Sequence, residues 1–456
     1  MEGQSAIRMP RIMLSNFKFD DGAVKDGAYG VVRLAEGIER GYFVVLKGQS
    51  DSQVTFDVPY LYNTQRRPLT FHFELFSSGE TSHVVGTAAW SIDAPHQALW
   101  GEQSPLGGLH KVTFSNGHGA ENMVHMSFQV VIVTPLDKVF KGQPFTWHYK
   151  TPQIIGHRGL GANREIRNGQ SRLQIGENTV LSLTKGGELG ATMVEFDVQL
   201  SKDLVPIIYH DFEFKEFGVP IPISSFNASQ FLALRESPNS TIKRSKSLDT
   251  LHTPSSDRPY TVGKNGAGTI QGSFPTLKEF FLKVPIRTGF NIEIKYPMGD
   301  KETSVAHPVE LNLYVDKILE VVAEYGGDRE IVFSSFHPEV VRALSLKQTH
   351  YPILFLTEGG THDDPSWTDP RVTSLQGALD YSVALGIAGV VTHVPPIVNN
   401  PNLVRMFKEA NKLLFTYGQL SNDTEIALMQ AERGVDGIIV DHVGSIVKAF
   451  KSHRLL

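Results

Sequence analysis

The stretch that decides the fold runs from residue 388 to 441. Ala388-Gly389-Val390-Val391-Thr392-His393 is followed by a helix-sized segment at 401–411, then by Leu413-Leu414-Phe415-Thr416-Tyr417. A second helix-sized segment at 423–433 leads into Gly437-Ile438-Ile439-Val440-Asp441. The short segments are apolar along their whole length instead of alternating, as expected of parallel strands covered on both faces. Working backwards, the same pattern gives strands at Gln153–Gly156, Met193–Val198, Phe290–Lys295, Ile331–Ser335 and Ile353–Thr357, with helix-sized segments at 309–325 and 337–347. Eight strands in a β-α rhythm over about 300 residues favour a closed (β/α)8 barrel of the TIM type. Periodicity alone leaves an open doubly wound sheet in play.

Before residue 150 the period changes to two. Leu69, Phe71, Phe73 and Leu75 alternate with Thr70, His72, Glu74 and Phe76, and Val124, Met126, Phe128 and Val130 alternate with His125, Ser127 and Gln129. Such alternation predicts half-buried antiparallel strands. Shorter runs at 42–47, 54–59, 84–88 and 111–114 predict an all-β sandwich of about seven strands. The chain is thus expected to hold two domains, a β-sandwich over 1–150 and an α/β barrel over 151–456. Pro144–Tyr149 reads as a linker that packs down. A segment rich in Ser, Thr, Pro, Gly and Lys from Glu236 to Gly272 lies within an insertion at about 211–273. It holds Lys243-Arg244-Ser245-Lys246-Ser247, the pattern of a basic-directed phosphorylation site or of a plain surface insertion.

Composition narrows the chemistry. With 43 Lys+Arg against 48 Asp+Glu the formal charge of the 456 residues is −5, which argues against a dedicated nucleic-acid binder. No apolar run approaches the ~18 residues of a membrane span. Met1–Ser5 lack a basic segment followed by an apolar one, so no secretory signal is expected. There is no cysteine, which removes disulfides, thiol nucleophiles and thiolate metal sites and fits a cytoplasmic setting. Catalysis must come from the 17 histidines, the carboxylates or the hydroxyls.

Those groups gather at strand ends. His157 and Arg158 follow the first barrel strand, and Glu195 and Asp197 share one face of the second. His210-Asp211 follow the extended run Val205–Tyr209, and Glu293 and Lys295 share a face of the third strand. Barrel active sites lie at the carboxyl ends of the strands, so these groups are expected to converge. Three carboxylates without a thiol suit Mg²⁺ or Ca²⁺. Two histidines can act as acid and base near neutral pH, and Arg158 and Lys295 can meet a phosphate. Taken singly, each of these residues also has a structural reading, such as an ion pair between Glu293 and Lys295.

The strings Gly156-His157-Arg158-Gly159, Gly176-Glu177-Asn178-Thr179, Val194-Glu195-Phe196-Asp197-Val198-Gln199, Ser201-Lys202-Asp203 and His210-Asp211, with Asn291-Ile292-Glu293-Ile294-Lys295 and Val435–Asp441, resemble the glycerophosphodiester phosphodiesterase (GDPD) family. The resemblance covers about residues 153–450. Leu173–Asn178 and Tyr209-His210-Asp211-Phe212 resemble in particular the eukaryotic, especially fungal, glycerophosphocholine phosphodiesterases. Those place a β-rich region before the barrel, and fungal members can carry SPX and ankyrin segments further upstream.

The resemblance implies a metal-dependent phosphoric diester hydrolase that converts glycerophosphodiesters such as glycerophosphocholine to sn-glycerol 3-phosphate and the alcohol. It implies His157 and His210 as the acid/base pair, Glu195, Asp197 and Glu293 as holders of a divalent metal, and Arg158 and Lys295 as phosphate binders. It also implies Asn178 as the residue that orders the loop after His157. Where the family carries Trp-Thr-Val-Asn in the seventh strand, this chain has Thr416-Tyr417-Gly418-Gln419, which leaves Tyr417 as the candidate lining residue.

Two rivals remain open. A lysophospholipase D would need an apolar groove, for which Phe212, Phe214, Phe217, Phe226 and Phe231 are candidates, although they would serve equally to pack the insertion. A non-catalytic phosphate-signalling regulator would lack motif residues that are intact here. The N-terminal domain would be a C2-like or carbohydrate-binding-like module contacting a carbohydrate (through Trp90 and Trp100) or a membrane surface, or else a scaffold.

Overall fold

A computed structural model of the protein describes residues 11–20, 28–34, 40–44, 49–50, 54–57, 69–77, 84–92, 109–115, 124–133, 136, 138–161, 164–167, 170–173, 175–215, 220–234, 272–298, 309–361 and 369–455. The chain divides into two compact units. One is Met1–Val139 with Val309–Asp316 and Arg342–Gln348, and the other is Phe140–Pro308 with Lys317–Val341 and Thr349–Leu456.

In the first unit two antiparallel sheets face each other. One runs Gln49–Ser50, Arg11–Phe19, Val124–Val133, Leu109–Phe114, with Val54–Asp57 also paired to Arg11–Phe19; the other runs Arg40–Val44, Tyr29–Leu34, Leu69–Phe76, Val84–Ile92. Leu14, Phe17, Phe114 and Phe128 of one sheet meet Val32, Phe71, Phe73 and Leu75 of the other in a shared core. The sandwich therefore has nine strands among the described residues instead of about seven. Arg11–Phe19 escapes a period-two reading because a register shift between Ser15 and Lys18 breaks its alternation. Trp90 stacks on Phe71 at 5.6 Å and meets Phe128 edge-on at 5.3 Å, so it packs at the core margin and forms no exposed platform. Trp100 lies outside the described residues.

The second unit holds eight parallel strands: β1 (Gln153–Gly156), β2 (Met193–Leu200), β3 (Gly289–Ile294), β4 (Ile331–Ser335), β5 (Ile353–Thr357), β6 (Gly389–His393), β7 (Leu413–Tyr417) and β8 (Gly437–Val440). In chain order they are followed by α1 (Val180–Glu188), α2 (Leu277–Lys283), α3 (Leu311–Tyr325), α4 (Pro338–Lys347), α5 (Leu375–Leu385), α6 (Leu403–Glu409), α7 (Thr424–Glu432) and α8 (Val443–Ser452). β1 pairs with β8 through Ile154 and Ile438 and with β2 through Ile155 and Met193, so the sheet closes and the open alternative falls away. Ile155, Met193, Val332, Leu354, Val391 and Phe415 fill the interior.

Phe145 and Trp147 pack on that interior, with Trp147 4.9 Å from Phe415. The Phe145 N–H donates to the carbonyl of His350 and the Tyr149 hydroxyl to Glu330, both just ahead of strands, so this segment closes the amino end of the barrel. The opposite end is left for chemistry.

Just ahead of the insertion, Pro206–Ile208 pairs antiparallel to β2. Phe214 and Phe231 are fully buried with Ile207, Ile223 and Phe274, and Phe226 packs against them. Phe214, Phe226 and Phe231 thus pack the insertion in a small core of their own, while Phe212 lies on the wall of a pocket with Glu293, Lys295 and Phe336. Phe217 and Lys243–Ser247 lie outside the described residues.

Candidate active site

Side chains two residues apart on a strand share a face, so residues beyond the barrel's core layer continue its interior at the carboxyl end. On β2 this places Glu195 and Asp197 above Met193, and parallel register sets Asp197 beside Glu293 of β3. One oxygen from each of the three carboxylates lies within 4.8 Å of the others. Glu195 and Asp197 are almost wholly buried, at 4% and 1% exposure.

The turn after β1 is shaped around this trio. Arg158 takes φ 46° and Gly159 φ 93°, and a Cβ on Gly159 would stand 2.5 Å from the Ser182 side chain on α1. Glycine lets the turn lie against the helix, and Ser182 Oγ donates to the Arg158 carbonyl. The Arg158 N–H then donates to Glu195 at 2.9 Å, while its guanidinium reaches Glu177 at 2.8 Å and Asp197 at 3.5 Å. Asn178, at φ 58°, donates from Nδ2 to Asp197 at 2.8 Å. A single loop thereby orients two carboxylates and a cation.

Both expected histidines reach the same place. His157 donates from Nδ1 to Asp441 at 2.7 Å, which leaves Nε2 facing Glu195 at 4.0 Å. Asn422 holds Asp441 in turn, donating from Nδ2 at 2.7 Å and accepting the Asp441 N–H at 2.7 Å. Burial and the Arg158 charge act to lower the His157 imidazole. The Asp441 hydrogen bond and the charges of Glu195 and Asp441 outweigh them, and the net shift is upward. His210 pairs through Nδ1 with Asp211 at 2.6 Å, and Gln199 on β2 donates to the carbonyls of Tyr209 and Asp211, pinning the loop that carries it. Burial alone would raise Asp197, yet His210, Arg158 and Lys295 together hold it well below the usual carboxylate range. Lys295 lies 3.1 Å from Glu293.

Tyr417 is half-buried on the far side of the mouth, its ring stacked on His393 at 5.3 Å and edge-on to Phe336 at 6.0 Å. Burial and the neighbouring Glu358 carboxylate push its hydroxyl up. The mouth thus has an ionic half on β1–β3 and β8 and an aromatic half on β4–β7. Sequence reasoning missed the roles of Asp441, Asn422, Glu177 and Gln199, and the presence of Phe336, Glu358 and His393. Strand parity offered a signal for some of them, since Glu358, His393 and Asp441 stand two residues past the core positions Leu356, Val391 and Ile439, and Phe336 four past Val332.

The carboxylate trio fits a hard divalent cation. Burial and the Asp197 charge push Glu195 up, a crowding of negative charge that a bound cation would relieve.

Residues 157–445 match the sequence profile of the glycerophosphoryl diester phosphodiesterase family. The chain belongs to that family. It is 35% identical over 448 residues to "Glycerophosphocholine phosphodiesterase GDE1" of Eremothecium gossypii, covering 87% of this chain and 34% of that protein. It is 38% identical over 328 residues to the Schizosaccharomyces pombe protein of that name, covering 66% of this chain and 28% of its relative. The chain thus spans about a third of the length of these curated relatives. Among solved structures, an Oleispira antarctica phosphodiesterase in complex with the product sn-glycerol-3-phosphate aligns with a TM-score of 0.45 at 21% identity, covering 66% of this chain and 97% of that one. The GDPD match takes in all the expected site residues, from His157 to Tyr417. Among the described residues no helix is long and apolar enough to cross a membrane.

Proposed function

We propose that this chain hydrolyses glycerophosphodiesters, glycerophosphocholine foremost, to sn-glycerol 3-phosphate and the free alcohol. The carrying observation is that two carboxylate-paired histidines, His157 and His210, flank the trio Glu195, Asp197 and Glu293 beside Arg158 and Lys295. The names of the fungal relatives support the choice of substrate. Residues 151–456 would form the catalytic region, and the cysteine-free composition supports a cytoplasmic setting.

The trio would hold Mg²⁺ or Ca²⁺, which when bound neutralises phosphate charge and acidifies a nearby hydroxyl. Arg158 and Lys295 orient the phosphate by charge-assisted hydrogen bonds. The glycerol 2-hydroxyl oxygen forms a bond to phosphorus as one histidine takes its proton. The bond from phosphorus to the alcohol oxygen breaks as the other histidine gives that oxygen a proton. Water then opens the cyclic phosphate with the two proton roles reversed. Asp441 keeps the His157 proton on Nδ1, so that Nε2 does the exchange.

Release of glycerol 3-phosphate from glycerophosphocholine tests this reading. His157→Ala and His210→Ala should each lower kcat by ~10²–10⁴-fold with the fold retained, and EDTA should silence the wild type. Undiminished release in both variants and in EDTA would sink the assignment.

A further inference from the structure

On the core side of the carboxylate trio, the barrel interior holds a polar pair that the reaction outlined above does not use. Asn291 on β3 and Ser334 on β4 are each 1% exposed. Asn291 shares strand parity with Glu293, and Ser334 shares it with Val332 of the interior core, whereas Phe290 turns outward to Phe280 and Phe281 of α2. Both side chains therefore face the barrel axis. Ser334 Oγ donates to Asn291 Oδ1 at 2.9 Å, which pins the amide oxygen toward β4. The nitrogen of a planar carboxamide lies on the opposite branch from its oxygen, so Nδ2 is turned away from β4, to the β2 side. Among the described residues none accepts a hydrogen bond from it.

What stands on that side is Glu195. Parallel register pairs Asn291 with Glu195 on β2 and with Val332 on β4, and adjacent strands lie about 4.8 Å apart. We propose that Asn291 is a positioning residue of the cation site, its Nδ2 donating to the Glu195 carboxylate from the core side while a cation is held on the mouth side. The proposal rests on the reading of the trio as the holder of a divalent cation. An apolar side chain at 291 would simply continue the core of Met193 and Val332. A buried amide with an unmet N–H is costly there, so it calls for a task. The task is set by Glu195, whose Oε2 already accepts the Arg158 N–H at 2.9 Å from the turn after β1. A carboxylate that turns an oxygen to a cation keeps its orientation when further donors hold it. Asp197 has such a support in Asn178, whose Nδ2 donates to it at 2.8 Å. Asn291 offers Glu195 the equivalent from the other side. A neutral donor suits this place, because it holds the carboxylate without cancelling the charge that draws the cation.

Titration calorimetry of the full chain with Mg²⁺ and with Ca²⁺ reads this support without turnover, and thermal unfolding in EDTA reads the fold. Replacing both members of the pair, Asn291→Leu with Ser334→Ala, leaves neither partner unmet, so the double variant should unfold in EDTA no lower than the wild type. It should nevertheless bind the cation at least ~10-fold more weakly. Ser334→Ala alone keeps the amide and loses its pin, and its affinity should fall between the two. Unchanged cation affinity in the double variant overturns the proposal. So does a loss of affinity matched by a lower unfolding midpoint in EDTA, because the pair would then be structural. A wild type that binds neither cation would overturn the reading of the trio itself, and the proposal with it.

Discussion

At the scale of single residues, the least conspicuous member of the site is Asp441. It stands outside the carboxylate trio, yet it fixes which nitrogen of His157 faces Glu195, and Asn422 fixes Asp441 from two sides. Asp441→Asn keeps the size and loses the charge. It should lower kcat by ~10²–10³-fold with little change in KM, because the imidazolium formed in proton transfer loses its counter-charge. The sign of the pH effect is fixed too. Asp441 helps hold the His157 imidazole above its ordinary value, so the limb of the pH–rate profile set by His157 should move to lower pH in the variant. A lower rate with an unmoved profile would reduce Asp441 to a structural residue. In the sequence Asp441 is only the last letter of an apolar strand. Its partner lies 284 positions away, a pairing that chain order does not display. His157, Glu195 and Glu293 were legible because charged side chains at strand ends are costly without a task.

At the scale of elements, the turn between β1 and α1 stores strain in order to aim its groups. Gly159→Ala adds a Cβ at φ 93°, 2.5 Å from Ser182. The turn must then lift off α1, carrying the Arg158 N–H away from Glu195. Gly327→Ala is the matched comparison, with φ 53° and nothing within 4 Å of the added carbon. Gly327→Ala should cost about 1 kcal/mol of stability and leave kcat alone. Gly159→Ala should cost more stability and lower kcat at least ~10-fold, as read by thermal unfolding and initial rates. Equal rates in the two variants would show that the turn's shape does not matter to the chemistry. The barrel strands were legible as elements because burial on both faces makes them apolar throughout. Arg11–Phe19 was not, because its bulge puts Leu14 and Phe17 three apart on the same buried face. Tyr417 was legible through its place in the seventh strand, whereas Phe336 was hidden for another reason, since it follows an apolar strand and looks like more of the same core.

At the scale of the whole molecule, the site is a deliberate weakness in a well-packed barrel. Its interior is aliphatic and aromatic from the Trp147 plug upward, and then three carboxylates crowd together where another apolar layer would be more stable. The net charge of −5 says nothing of this, because the crowding is local and is set by strand register. Closure itself was beyond reach of periodicity, for a pattern of covered strands is the same whether the first meets the last or not. The crowding has a thermodynamic consequence that can be measured. Any ligand that binds only the folded state stabilises it by about 2.7 kcal/mol at a hundredfold excess over its Kd. Mg²⁺ or Ca²⁺ should therefore raise the unfolding midpoint, by about 5 °C. Glu195→Gln removes one crowded charge, so in EDTA the variant should melt above the wild type. Added cation should then raise its midpoint less, and the order of the two proteins should reverse. That reversal separates a carboxylate cluster kept for a cation from one kept for structure. If Glu195→Gln melts lower in EDTA and gains as much from the cation as the wild type, Glu195 is not part of the cation's site.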